Sequence, residues 1–395
     1  MNRSVKLSAN KLLIKHECYM KTTKLFLFTI ILIIFSLQLY ALPRFALRLN
    51  NRCIDCHVNP TGGELRNESG FFFGKNVISM ISPRDKDFPL SPKISNNVTL
   101  GFDYRTQYLY SQEKNRTDFQ DMTGSIYLSA AISQKIDIYS RYDFMNSLWE
   151  GYGIARILPN DSYIKVGSFS PNFGIRLDDH TAYTRGGDFG LLFSTGTIQG
   201  LIYNPYYLEN GIEIGANISD ITLLTASVGR NKANGILSTD PNFTARLELT
   251  PSIGKLGLLF GGAYLSTKTK FSDPVSGSLS NLPTQLYGGF AGLGYGRFTL
   301  MGEYDIADTY TADNTKSSAL MIEAAYQLMI GLEAVVRYDR FDPNLDAVND
   351  EHSHVIVGFE FFPYSFVELR PQYRFNIENP DIKNDAFVLQ FHFWY

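Results

Sequence analysis

Cys53, Ile54, Asp55, Cys56 and His57 set two thiols three positions apart, with an imidazole directly behind the second. On one helical turn such a pair reaches the two vinyl groups of a single haem, and the adjacent imidazole supplies the proximal iron ligand. The spacing C-x-x-C-H therefore predicts one covalently attached c-type haem held by Cys53 and Cys56, with His57 on the iron. A disulfide or a zinc half-site is the competing chemistry. Zinc would require two more Cys or His ligands close by, yet the next histidine, His180, lies more than a hundred residues on. The remaining cysteine, Cys18, precedes the expected cleavage point, so a processed chain keeps two cysteines, both in the motif.

A second axial ligand has two candidates. Met80 is the methionine nearest the motif in the downstream chain, and His180 sits in Asp178, Asp179, His180 within the longest loop. Farther on, His352 and His354 share one strand face with Glu360, and with Glu351 beside them they form a candidate first-row metal site at a rim. Arg44, Arg48, Arg52 and Arg66 are available to pair haem propionates. Pro60, Gly62 and Gly63 are expected to break the helix that carries Cys56 and His57.

What must position these groups is visible in the rest of the chain. The 395 residues carry a formal net charge of -3, with 24 Tyr, 29 Phe and 32 Gly but only 19% charged residues. That balance offers no basic stripe for nucleic acid and suits a β-rich membrane protein with aromatic girdles. The apolar run from Leu25 to Ala41, behind Lys21 and Lys24, has the form of a signal peptide over residues 1–41, and Met20 offers an internal start. A single transmembrane anchor is the alternative for the same run. Residues 42–95 then form a small haem segment, too short for a core of its own.

From residue 96 to 395 the chain repeats about ten residues of alternating polarity followed by a turn or polar loop. Val98, Leu100, Phe102, Tyr104 and Tyr108 alternate with Thr99, Asp103, Arg105 and Gln107, and Val367 to Ile377 repeats the pattern with Glu368, Arg370, Gln372 and Arg374 on the polar side. Short turns around Lys135, Asn160, Asp220, Gly254, Gly296, Ile330 and Tyr364 alternate with longer loops around Asn115, Leu148, Asp179, Ala233, Ser276, Asp313, Asn349 and Asp381. This predicts an all-β, antiparallel outer-membrane barrel of about sixteen strands. Fourteen is the alternative, because 147–158 alternates weakly. Phe387, Leu389, Phe391, Phe393 and Tyr395 give the last strand one apolar face, similar to the C-terminal signal by which barrel assembly machinery recognises its substrates. Loop three, about Ile175 to Pro205, is expected to fold into the lumen.

A signal peptide, one C-x-x-C-H segment and a porin-like barrel in a single chain resemble the fused monohaem cytochrome c-porins of outer membranes, a group that includes outer-membrane iron oxidases. In residues the likeness runs from Pro43 through Gly74: Phe45 and Arg48 ahead of Cys53, then Cys56 and His57, then Gly70, Phe73 and Gly74. Val58 to Gly63 departs from the iron-oxidase pattern and looks more like a broader group of haem-tagged outer-membrane proteins. The resemblance implies a Gram-negative-type outer membrane, with the haem segment in the periplasm or the barrel lumen. It also implies electron exchange between an extracellular donor or acceptor, Fe(II) among them, and a periplasmic carrier such as a soluble cytochrome. A diffusion porin whose haem segment is a plug, sensor or docking tag is the rival expectation.

Overall fold

The computed structural model describes residues 44–49, 51–83, 91–177, 181–187, 200, 201, 203, 206–232, 241–272, 279–310, 314–378 and 381–395. The expected signal segment, Cys18 and His180 lie outside the described residues. Eighteen strands form one antiparallel sheet, and two of them are short flanking pieces, Lys93–Ser95 and Ser252–Ile253, leaving sixteen that close a barrel. The sixteen are β1 (Val98–Ser111), β2 (Arg116–Ser133), β3 (Ile136–Asp143), β4 (Leu148–Ala155), β5 (Tyr163–Phe169), β6 (Glu209–Ser219), β7 (Thr222–Asn231) and β8 (Asn242–Leu249), followed by β9 (Leu256–Ser272), β10 (Leu279–Tyr295), β11 (Phe298–Asp308), β12 (Lys316–Met329), β13 (Leu332–Asp342), β14 (His352–Tyr364), β15 (Val367–Ile377) and β16 (Ala386–Trp394). Each pairs with its neighbour in sequence, and β16 pairs with β1 to complete the ring.

Closure follows from the alternation, because successive side chains point to opposite faces and every strand then has one face for each medium. On β15 Glu368, Arg370, Gln372 and Arg374 are buried inward, while Tyr373, Phe375 and Ile377 are exposed outward. The outer surface elsewhere presents Ile138, Trp149, Ile212, Val228, Ile322 and Phe359. The weakly alternating 147–158 stretch does form a strand, β4, which excludes the fourteen-strand count.

One end of the barrel is closed by the short connections 134–135, 220–221, 296–297, 330–331 and 365–366. The other carries the long ones, with two corrections to the expected rhythm: 112–115 and 144–147 are tight four-residue links, not long loops. Loop three does turn inward. Tyr183 and Leu201 pack with Leu265, Leu286 and Phe341 of the wall.

The segment that precedes the barrel lies inside it, at the short-turn end. It contains α1 (Arg44–Leu49), α2 (Cys53–Cys56) and α3 (Glu68–Asn76). Its apolar side chains have the wall as their core. Leu47 packs with Leu259, Phe290, Met301 and Met321, Leu65 with Tyr127 and Tyr152, and Phe71 with Phe362, Phe366 and Trp394. Gly294 makes the first of these contacts possible. A β-carbon there would stand 2.6 Å from the Leu47 carbonyl carbon, so α1 can lie on β10 only over a bare backbone. Past α3 the chain is stitched to the wall by the Met80 amide, which donates to the Phe362 carbonyl at 2.8 Å, and by a bridge from Ile81 to Tyr364. The short strand Lys93–Ser95 pairs with β1 and so already belongs to the sheet.

Candidate functional site

The two motif cysteines open and close a single turn. The Arg52 amide donates to Asp55 Oδ2 at 2.8 Å and caps the start of α2, and the His57 amide donates to the Cys53 carbonyl at 2.9 Å. His57 itself is extended, with φ -122° and ψ 152°. The helix thus ends at Cys56, ahead of the Pro60, Gly62 and Gly63 that were expected to break it. Those residues instead shape a hairpin in which His57 pairs with Arg66 and the Val58 amide donates to the Leu65 carbonyl at 3.0 Å. Buried Asn59 holds the bend, donating to the Gly62 carbonyl at 3.2 Å and accepting from Thr61 Oγ1 at 3.1 Å.

Asn67 then locks the motif to α3. Its Nδ2 donates to the Ile54 carbonyl at 3.0 Å, and its Oδ1 accepts from the Gly70 amide at 3.0 Å. Gly70 sits so close to the motif that a β-carbon would come within 2.1 Å of the Cys56 carbonyl oxygen. Burial, reinforced by the Glu248 carboxylate, pushes the Cys53 thiol up to about 12, and burial also raises the Cys56 thiol. The two sulfurs form no disulfide.

Cys53, Cys56 and His57 line one chamber in the lumen, about 1660 Å³ of empty space including its open mouth. Its apolar wall includes Phe45, Leu49, Phe73, Met301, Ile356 and Phe362. Interleaved with it is a band of charge. Arg44 Nη2 donates to Glu360 Oε1 at 2.7 Å and stands 3.7 Å from Glu323, Arg48 pairs with Glu333, and Arg370 pairs with both Glu368, at 2.9 Å, and Glu360, at 3.3 Å. Arg66 lies over the Trp394 ring, 5.3 Å from its centroid. Of the four arginines singled out in the sequence, Arg44, Arg52 and Arg66 line the chamber, whereas Arg48 borders a neighbouring groove with Glu333. A smaller polar cavity adjoins the chamber through Glu64, Asp103, Arg105 and Arg176, and leads along Tyr127, Arg141 and Glu150 towards loop three.

The other candidate ligands are dispersed. Met80 is 42% exposed at the short-turn rim against Gly331 and is not among the chamber-lining residues. His180 lies outside the described residues, although Thr181 beside it accepts from Arg337 Nη2 at 3.2 Å. The structure does not bring His352 and His354 together as a metal site. The His352 side chain is 47% exposed and faces Glu378 at 3.6 Å, while buried His354 is held between Asp339, at 2.9 Å, and the Tyr183 hydroxyl, at 3.2 Å. Among the described residues no three His, Cys, Asp or Glu converge on a metal-sized point.

The chamber also contains a histidine that the motif search passed over. His392 is buried on β16, with Nδ1 2.8 Å from Glu368 Oε2 and Nε2 3.1 Å from Asp103 Oδ2. Its ring lies tilted by 30° against Trp394, with centroids 4.7 Å apart. Alternation along the last strand already placed it on the polar face with Gln390, and that signal was available. Its partner Asp103 is 289 residues away and meets it only because β16 closes on β1.

No protein-family model and no curated protein matches the sequence. Solved structures do match the fold. The chain is similar to the outer membrane channel DcaP of Acinetobacter baumannii, with a TM-score of 0.54 and 12% identity over 78% of this chain and 100% of that one. It is similar to OprB of Pseudomonas putida, with a TM-score of 0.58 and 10% identity over 82% and 100%. OmpF of Salmonella typhi matches with a TM-score of 0.52 and 13% identity over 76% and 98%. At such identities the likeness is one of fold: a closed sixteen-stranded antiparallel barrel of the outer-membrane porin type.

Proposed function

We propose that this chain is an outer-membrane electron-transfer protein whose lumen carries one covalently attached c-type haem. The observation that supports this best is the placement of Cys53, Cys56 and His57 on the wall of one chamber whose lining mixes aromatic rings with arginines, Arg44 lying 5.7 Å from the Phe45 ring centroid. The residues present fit the group that the motif implies. Cys53 and Cys56 would hold it through thioether bonds and His57 would ligate the iron, with Arg44, Arg52 and Arg66 lining the same chamber; when bound, it supplies one-electron exchange. The chain's own part is to enclose and orient. Asn67 and Gly70 fix the motif turn, Phe45, Phe73 and Phe362 exclude water, and the apolar outer band seats the barrel in lipid.

The short-turn end would then face the periplasm and meet a soluble one-electron carrier, and the long-loop end would face the exterior. An Fe(II) donor remains part of this proposal through the resemblance alone. Purified protein should show a c-type absorption band, keep its haem on a denaturing gel and be reduced by a periplasmic-type donor. Absence of the band would sink the reading.

A diffusion porin with an inserted plug is the second reading, favoured by the porin-type fold. The charged lattice and the inward loop three argue for a filled interior over a wide channel. Reconstituted, haem-loaded protein should show little open-state current, and a large current would favour the porin.

A further inference from the structure

His392 has a carboxylate on each ring nitrogen, Glu368 at 2.8 Å and Asp103 at 3.1 Å. Carboxylates only accept, so both nitrogens must donate, and the pair is built for a doubly protonated, cationic ring. A neutral imidazole has one N–H and would turn a lone pair towards the other carboxylate. The charges linked to it agree. Among the described contacts the chain runs Arg105, Asp103, His392, Glu368, Arg370, Glu360, Arg44, then Glu323 and Glu333, and finally Arg48. Four guanidinium groups thus face five carboxylates, and a protonated His392 brings the count level.

We propose that His392 is the proton-carrying residue of the chamber, binding a proton when an electron enters and releasing it when the electron leaves. This rests on the haem reading above. Bound ferric haem would bring one extra positive charge beside the level lattice and would favour loss of the His392 proton, and an electron from a soluble one-electron carrier would cancel that charge. His392 would then take one proton back from solvent at a ring nitrogen, which returns the lattice to its level count; no other bond changes. The coupling is strong where water is excluded and the local dielectric is low. The groups facing His392 are Asp103 and Arg105 from β1 and Glu368 and Arg370 from β15, with Trp394 on its own strand and Arg66 beyond that ring. The arginines keep their charge at every working pH, so the histidine with its two carboxylates is the titrating unit.

The test is a potentiometric titration of full-length, haem-loaded protein in detergent from about pH 5 to 9. The wild-type potential should fall with rising pH, with a slope approaching one proton per electron over at least about one pH unit. In His392→Gln the slope should drop by more than half while the haem stays covalently bound. Glu368→Gln, which removes one acceptor and keeps the ring, should move the sloping region to lower pH. A loaded His392→Gln protein with the wild-type slope would overturn the proposal and point to the haem propionates, as would a Glu368→Gln profile that does not move. Haem present with a flat wild-type profile refutes His392 alone, whereas a wild-type chain without haem refutes the haem reading as well.

Discussion

The two halves of the lumen are filled by different mixtures of rings and charge. Towards the long loops rings enclose compact buried ion pairs: Phe173, Tyr203 and Tyr207 run ring to ring at 5.2 and 5.5 Å, Tyr183 sits 4.7 Å from His354 near Phe341, and Arg185 pairs with Glu303 at 2.8 Å beside the Tyr203 ring. Towards the short turns the same alternation of strands produces a chamber, a lattice of arginines and carboxylates, and an inserted helical segment. Packing of the first kind contributes stability through apolar area and density. The lattice is a poor source of net stability, because desolvating its charges offsets most of their attraction. It borders the chamber at the short-turn end, whereas the ion pairs of the other half are packed among rings.

Replacing both Cys53 and Cys56 by Ser gives the largest expected difference between the halves. Covalent haem should be lost entirely, as read by in-gel haem staining, while circular dichroism still reports a folded barrel, since the sheet and the aromatic half use neither thiol. Unfolding of the sheet in that variant would show that the segment is part of the barrel's core rather than its cargo.

Phe341→Ala should cost about 3–5 kcal/mol, because it empties a fully buried aromatic site. Denaturant unfolding in detergent would measure it, and the c-type spectrum should be unchanged. A shifted spectrum would mean that the halves are not separable.

Glu333→Ala leaves the guanidinium groups of Arg44 and Arg48 short of a carboxylate in a buried setting and should weaken the segment's seat by about 3 kcal/mol. Limited proteolysis should then cut within residues 44–83 sooner than in the parent, whereas loop three should be cut at the same rate. Equal protection of the segment would put its anchorage in the apolar contacts of Leu47 and Phe71 instead.

The smallest effect belongs to His352→Ala. The side chain is largely exposed and near one carboxylate, so stability should stay within about 0.5 kcal/mol. Titration with first-row metals should give the same binding isotherm before and after the change. A lost isotherm would restore the rim site that the geometry disperses.

Much of the barrel could be read from particular residues. Asp103, Arg105, Glu368 and Arg370 were assigned to the inner face by a period of two, and the structure places them there, because that period is fixed by strand geometry and needs no tertiary partner. The tight links at 112–115 and 144–147 escaped because a polar composition marks a connection without giving its length. The metal reading of His352 and His354 gains no support from the geometry for a related reason: sharing a face does not mean sharing a point, and His354 bonds Asp339 from the neighbouring strand.

Sequence alone determined the C-x-x-C-H spacing and the two faces of the strands, since both are set within a few bonds of the backbone. Only the tertiary structure decided that Cys53, Cys56 and His57 open into the lumen, that Gly294 clears a bed for α1, and that His392 meets Asp103 beside them. Those contacts depend on ring closure and on depth along the barrel, and no local periodicity encodes either.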